Sequence, residues 1–265
     1  MKKRKKVGLA LGSGGFRGFA HIGVLKVLRE NDIKIDYISG SSIGSLIAAY
    51  YSLNKEVDTL LDKVNSLGKR NIFQFIDKSS YKGILSQNKI SKHLEPIFGQ
   101  AKFSDCKIPL QIVSTNLKNG ETMVFKSGSI KLAVQASCAV PLIFNSIKHK
   151  NKILVDGALV EPLPINILKT AGADVVIASN IYHKHEFNDK RFNLAHIALR
   201  SVRILLYNYT QQKAKDADIH INPDVSKQVI EAGLKAVFSK KLALEAISIG
   251  EKHTKANLKE IKKMI

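Results

Sequence analysis

Gly40-Ser41-Ser42-Ile43-Gly44 has the spacing glycine, any residue, serine, any residue, glycine, and lies just before a segment rich in Ile, Leu and Ala. A serine in that setting is suited to nucleophilic chemistry. On a tight strand-to-helix turn the flanking glycines remove Cβ atoms that would clash, and the hydroxyl is lifted beside the positive end of the helix. A hydroxyl is a weak nucleophile at neutral pH and needs a base within hydrogen-bond reach. Asp156 is one candidate, because it closes an apolar stretch and is followed by Gly157 and Ala158, where the chain can turn sharply. The ends of parallel strands converge on one edge of a sheet, which predicts that Asp156 and Ser42 share that edge. Taken alone, Asp156-Gly157 also reads as an ordinary turn. Of the eight histidines, only His149, before a predicted hairpin, has a comparable position.

A second group is Gly12-Ser13-Gly14-Gly15-Phe16-Arg17-Gly18. Consecutive glycines let backbone N–H groups converge on one point, and a following helix adds its N-terminal dipole. A dinucleotide fingerprint starting at Gly12 requires glycine where Arg17 stands, and no Gly-Lys-Ser/Thr follows for a phosphate-binding loop. What remains is a nest for negative charge, such as the oxyanion of an acyl-transfer intermediate, or a glycine turn needed only for close packing.

The elements that must position these groups can be read from periodicity. Val7–Leu11 is a short apolar run ending in the glycine loop, and Phe19–Glu30 carries Ile22, Leu25 and Leu28 at helical spacing, widened by Val24 and Val27. Residues 36–39 form a second strand and 43–53 a buried helix, and this βαβα order predicts a parallel sheet with helices on its faces. Further on, 55–66 reads as helix, 71–85 as loop, and Ser91 as the cap of a helix running to Phe98. A strand over 110–115 leads through Asn119-Gly120 into a hairpin with 122–125, and a helix over 129–139 must end before Pro141. A hairpin over 147–155 turns at Lys150-Asn151. It precedes a short helix over 164–171 and a strand over 174–179. A loop over 182–191, a long helix over 193–214, a strand over 218–222 and mostly helix from Ser226 complete the chain. We expect one domain over residues 1–265, with the motifs in a core from roughly 7 to 180 and a helical C-terminal part from roughly 193 to 265.

Composition narrows the classes of partner. The chain has 42 Lys plus Arg against 22 Asp plus Glu, a net charge of +20. Its two cysteines cannot build a disulfide framework and lack metal-ligand spacing, which favours a reducing compartment. Met1–Lys6 is cationic, but the apolar run behind it is too short for a signal peptide, and no stretch is long and apolar enough to span a bilayer. A cytoplasmic protein is therefore expected. No helix-turn-helix, Cys/His finger or basic-aromatic segment supports nucleic-acid binding, so none is expected. Anionic phospholipid is the other anionic partner, since a basic residue near such a surface gains ~1 kcal/mol. Plain solvation of the surface is the competing account of the charge.

The glycine loop, the serine turn and the aspartate together resemble the patatin-like phospholipase family, specifically its short bacterial members. The resemblance is carried by Gly12–Gly18, Gly40–Gly44 and Asp156-Gly157-Ala158. It is supported by Ala136-Ser137-Cys138-Ala139-Val140-Pro141 and by residues 155–164. It implies a three-layer α/β sandwich with a mainly parallel central sheet and a nucleophile elbow. It also implies a Ser-Asp dyad in which Ser42 attacks a phospholipid or lysophospholipid ester and Asp156 accepts its proton. An oxyanion hole would draw on Gly12, Ser13, Gly14, Gly15, Phe16, Arg17 and Gly18, with Arg17 adding positive charge. An acyl-serine would form and be hydrolysed, with no metal or cofactor. Two positions depart from the family's pattern: Ser13 interrupts the glycines, and Ala158 stands where many relatives have glycine. The same site would serve an acyltransferase or thioesterase, and a catalytically quiet lipid-binding regulator is the alternative from another class. Peripheral contact with an anionic membrane would use Met1–Lys6 and the C-terminal helix, where Leu258, Ile261 and Ile265 alternate with Lys259, Lys262 and Lys263. The same stripe reads at least as well as a core-docking face.

Overall fold

The computed structural model of the protein describes residues 4–56, 58–60, 62, 87–141, 143–184, 194–226 and 239–265. Five short strands run parallel in the order β8-β7-β1-β2-β3, with β1 at Val7–Leu11, β2 at Tyr37–Ser41, β3 at Leu110–Asn116, β7 at Val175–Ser179 and β8 at Ile219–Ile221. Alternation along β1 and β7 sends Val7, Leu9, Leu11, Val175 and Ile177 into one core, and Ala10, Val176 and Ala178 into a smaller one. Both faces of the sheet are therefore buried, as a parallel sheet requires. Helices α1 (Phe19–Glu30), α2 (Ile43–Asn54), α3 (Gln87–Phe98) and α4 (Ile130–Ser137) accompany the larger core, and α5 (Asn166–Thr170) the smaller. Two longer helices, α6 (Leu194–Ala214) and α7 (Lys240–Met264), complete the described elements.

The remaining strands give the sheet its mixed character. β4 (Thr122–Phe125) and β6 (Lys152–Asp156) both run antiparallel to β3, and β5 (Ile147–His149) pairs with β6 across a turn where Lys150 has φ 51°. The register decides which edge each strand occupies. β2 pairs with β3 from Leu110 to Val113, β4 from Ile112 to Thr115, and β6 from Ser114 to Asn116. Since β3 has only two edges, β4 takes one, and β2 and β6 share the other, meeting end to end between Val113 and Ser114. The expectation that Asp156 arrives at the convergence of parallel strand ends is thus corrected. It arrives on an antiparallel strand that descends towards the end of β2.

Most predicted elements fall where periodicity puts them, and α1 matches its predicted bounds. Ser91 is an exception: α3 begins at Gln87, so Ser91 lies inside the helix and does not cap it. Half of the helix predicted over 55–66 and the whole loop over 71–85 lie outside the described residues, as do 185–193 and 227–238.

The C-terminal helix docks in the core. In α7, Ala243, Ala246, Ile247, Gly250, Thr254 and Ile261 are buried, and Lys26 pairs with Glu251 at 2.8 Å across the contact with α1. The approach is close enough to need glycine on both sides. A Cβ on Gly23 would come within 2.1 Å of the Ile247 carbonyl oxygen, and one on Gly250 within 2.1 Å of the Ala20 carbonyl oxygen. Such contacts force the helices apart, and overpacking of this kind costs about 1–3 kcal/mol. Gly250→Val is therefore expected to lower the unfolding free energy measured in urea by that order, with Gly23→Val similar. Because both act on one contact, the double variant should lose less than the sum.

Candidate active site

Ser42 sits between β2 and α2 with φ 52° and ψ −125°, a conformation that costs a non-glycine residue about 1–3 kcal/mol. The surroundings hold it there. Its N–H donates to Ser137 Oγ at 2.9 Å, and its carbonyl accepts from Ser45 Oγ at 2.6 Å. A Cβ on Gly44 would lie 2.2 Å from the Leu11 carbonyl oxygen, so only glycine lets the first turn of α2 pass under the end of β1. The strand-turn-helix geometry expected from Gly40–Gly44 is present.

Across the junction of β2 and β6, Ser42 Oγ donates to Asp156 Oδ2 at 2.6 Å. The other carboxylate oxygen, Oδ1, accepts from the Ala158 N–H at 2.8 Å. The backbone is fixed as well, with Asp156 N–H donating to Ala139 O at 2.9 Å and Thr115 Oγ1 donating to Asp156 O at 2.7 Å. Gly157 is required where the chain leaves the strand, since a Cβ there would meet the Val113 carbonyl oxygen at 2.4 Å. Ser42 is 7% exposed and Asp156 3%. Burial disfavours the carboxylate and raises the Asp156 pKa to about 6, against the lowering effect of the hydrogen bonds from Ser42 and Ala158. The neighbouring Cys138 thiol is pushed up to about 12 by burial and by the charge on Asp156, so it stays protonated at neutral pH.

His149 is not brought to the serine; it ends β5 beside the ring of Phe125, 6.0 Å away. A different histidine matters to the site and carried no signal in the sequence. His21, on the buried face of α1, joins Gly12 O through Nε2 and Ser179 Oγ through Nδ1, both at 2.8 Å. A carbonyl only accepts, so Nε2 carries the proton and Ser179 donates to Nδ1. Burial lowers the His21 pKa to about 4, which keeps this tautomer neutral. The bond from Gly12 N–H to Ser179 O at 3.0 Å closes a small network that ties the glycine loop to β7 and α1.

Within the loop the amides are not equivalent. Gly12 donates to Ser179 O, Ser13 to Pro162 O at 2.8 Å, and Arg17 back to Gly14 O at 3.3 Å. The expectation that all seven residues offer donors is corrected to this extent: these three amides are already bonded within the protein. Among the described residues, no hydrogen bond is donated by the amides of Gly14, Gly15 and Phe16, which lead into a short 3₁₀ turn at Gly15–Gly18. The Arg17 side chain is buried, donates from Nη1 to Gly14 O at 2.9 Å and lies 5.5 Å from the Tyr182 ring centre. It braces the loop from within. Positive φ falls on Gly14 at 154° and Gly15 at 58° and not on Ser13, so the serine that interrupts the glycines avoids the positions that need glycine. No cluster of three or more His, Cys, Asp and Glu suited to a metal occurs among the described residues.

The family model described as patatin-like phospholipase matches residues 9–169. An uncharacterized NTE family protein of Mycobacterium tuberculosis is 35% identical over 177 residues, covering 66% of this chain and 49% of the relative. Lysophospholipase nte1 of Emericella nidulans is 28% identical over 181 residues, covering 67% of this chain and 12% of the relative. The chain thus spans about half the length of the mycobacterial relative and a small part of the fungal one. Among solved structures, VipD from Legionella pneumophila aligns over 94% of this chain and 67% of its own, with a TM-score of 0.45 and 12% identity.

The burial of Asp156 has a consequence for stability. Its folded pKa of about 6 lies above the ordinary value of 3.8, so the folded state holds the proton more tightly than the unfolded state. Stability from this group is fully present below pH 3.8 and is lost as pH rises to about 6, at up to about 1.4 kcal/mol per pH unit. Asp156→Asn removes that loss. Urea unfolding across this range should show the variant gaining on wild type as pH rises, with a constant gap above pH 6; a gap independent of pH contradicts the assignment.

Proposed function

The chain belongs to the patatin-like phospholipase family, and we propose that it is a lipid acyl hydrolase that cleaves ester bonds of phospholipids or lysophospholipids through Ser42 and Asp156. The observation that carries the reading is the 2.6 Å hydrogen bond from the strained Ser42 hydroxyl to Asp156, in a buried site with no histidine between them among the described residues. The fungal relatives named as lysophospholipases support the substrate class.

In the proposed reaction, ionised Asp156 accepts the Ser42 proton as Oγ attacks the ester carbonyl carbon. The new Oγ–C bond gives a tetrahedral oxyanion, and the amides of Gly14, Gly15 and Phe16 are the donors available to hold it. Each such donor is worth about 10²–10³ in rate. Collapse breaks the bond to the alcohol oxygen, which leaves with the proton carried by Asp156. Water then gives a proton to Asp156 and attacks the acyl-serine. The second collapse frees the fatty acid and returns the proton to Ser42. Gly12, Ser13 and Arg17 serve in this scheme by holding the loop in shape, and Gly18 continues it into α1.

A fluorophosphonate probe is expected to label the wild type and to leave Ser42→Ala unlabelled. Hydrolysis of a short-chain p-nitrophenyl ester and of lysophospholipid should vanish with Ser42→Ala and fall by about 10³-fold or more with Asp156→Asn. Absence of labelling in the folded wild type would favour a catalytically quiet lipid binder. Transfer of the acyl group to an added alcohol in preference to water would reassign the enzyme as an acyltransferase. Because only the ionised carboxylate accepts a proton, kcat/KM should rise with pH through about 6 and level off above it. A profile flat from pH 5 to 8 would remove Asp156 from the role of base.

A further inference from the structure

Helix α6 presents more large apolar side chains outwards than α7, the other long helix, where Leu244 alone is exposed. Ile197, Val202, Ile204 and Leu205 are 46%, 43%, 39% and 68% exposed, four of the seven large apolar residues exposed among the described ones. At ~100° per residue, Ile197, Ile204 and Leu205 fall within an arc of roughly 100°, and Val202 extends it to roughly 160°. A surface helix normally turns such a stripe to the core, and a contiguous outward stripe marks a contact surface.

The other end of the helix explains where this surface stands. Thr210 and Ala214 are buried, Tyr209 Oη donates to Val160 O at 2.9 Å, Gln211 Nε2 donates to Tyr182 O at 3.3 Å, and Lys213 pairs with Glu161 at 3.1 Å. Val160 and Glu161 follow Asp156 on the same turn, where Leu159 is itself 41% exposed, and Tyr182 lies against Arg17 of the glycine loop. The last turns of α6 are thus fastened to the rim of the Ser42–Asp156 site, while its outward stripe stands free of the core.

Charge identifies the occupant. The 21 residues of α6 contain no Asp or Glu, Lys213 is already paired with Glu161, and the chain as a whole carries a net charge of +20. A second copy of the chain, meeting this one about a twofold axis, would bring two chains of net charge +20 together. A surface of negative headgroups over acyl chains complements both the stripe and the charge. Among the described residues no helix is long and apolar enough to cross a membrane, so the contact is one of lying on the surface.

We propose that the α6 face carrying Ile197, Ile204 and Leu205 docks on an anionic phospholipid bilayer and brings the Ser42–Asp156 site to its substrate. The consequence for catalysis rests on the lipid-hydrolase reading; the docking itself does not.

The test uses sedimentation with phosphatidylcholine vesicles, with and without phosphatidylglycerol, comparing wild type with the Ile197→Gln/Leu205→Gln variant. Both positions are exposed, so an unchanged thermal unfolding midpoint is expected and serves as the folding control. Wild type should bind the anionic vesicles more tightly than the neutral ones, and the variant should bind them at least about tenfold more weakly. Hydrolysis of vesicle lipid should fall with binding, while hydrolysis of the short-chain soluble ester stays at the wild-type rate. The chain contains no Trp, so Leu205→Trp gives a single reporter, whose emission should shift to the blue on anionic vesicles and be quenched by brominated acyl chains. Binding of the double variant equal to wild type, an unshifted emission from the Leu205→Trp variant, or a concentration-dependent dimer abolished by the double substitution would each overturn the proposal. Vesicle binding that needs α6, in a protein without ester hydrolysis, would sink the enzymatic reading and leave the docking surface standing.

Discussion

The arrangement of the site depends on one constraint of strand pairing: β2 and β6 share a single edge of β3 and stop one residue apart. β2 ends opposite Val113 and β6 ends opposite Ser114, so the residues that leave the two strands are neighbours in space, although 114 positions separate them in sequence. A slip of one residue in the β3–β6 register would reverse the faces of every side chain on β6 and carry the Asp156 carboxylate away from Ser42. Several groups lock that register. Ser114 Oγ donates to Val155 O, Thr115 Oγ1 to Asp156 O, and the β4 hairpin fills the opposite edge of β3. The polar residues of a buried strand here hold its neighbour in place.

Holding the pair together is energetically uphill. Ser42 adopts a backbone conformation that side chains disfavour, and Asp156 carries its carboxyl into a site that resists ionisation. Both costs fall on residues surrounded by otherwise satisfied backbone. The amide of Ser42 reaches Ser137, that of Asp156 reaches Ala139, and the network of His21, Gly12 and Ser179 secures the glycine loop from the opposite side. The large apolar core beneath the sheet supplies the stability against which such local costs are set.

Much of this is legible in the sequence, for physical reasons that differ by element. The Gly40–Gly44 turn and the β1–α1–β2–α2 order can be read because glycine spacing and hydrophobic period report local geometry directly. The partnership of Ser42 with Asp156 requires the family resemblance, since no local pattern specifies a contact made through a third strand. Convergence of parallel strand ends does not account for their meeting, because an antiparallel strand leaves almost no trace in its own residues that separates it from a parallel one. His21 and Ser137 are invisible as site residues. A histidine on a helix face and a serine at a helix end are common, and only the carbonyl of Gly12 and the amide of Ser42 give them meaning. The core-facing stripe of α7 is visible, but the need for Gly250 shows only once α1 lies against it.

In the proposed reaction a carboxylate acts as base without a histidine, and its proton affinity is then the quantity that matters. An exposed aspartate is too weak a base to take much of a proton from a serine at neutral pH. Burial raises the affinity of Asp156 to about 6, close to the ordinary value of a histidine, without adding a second titrating group. The bond from the Ala158 N–H to Oδ1 then leaves Oδ2 as the oxygen turned to the serine, which fixes direction as a histidine ring would. The turn at Gly157 makes both effects possible at once: it is tight enough to present an amide to the carboxylate and small enough to lie against Val113. In the proposed reaction, the base is therefore specified by a turn and its burial.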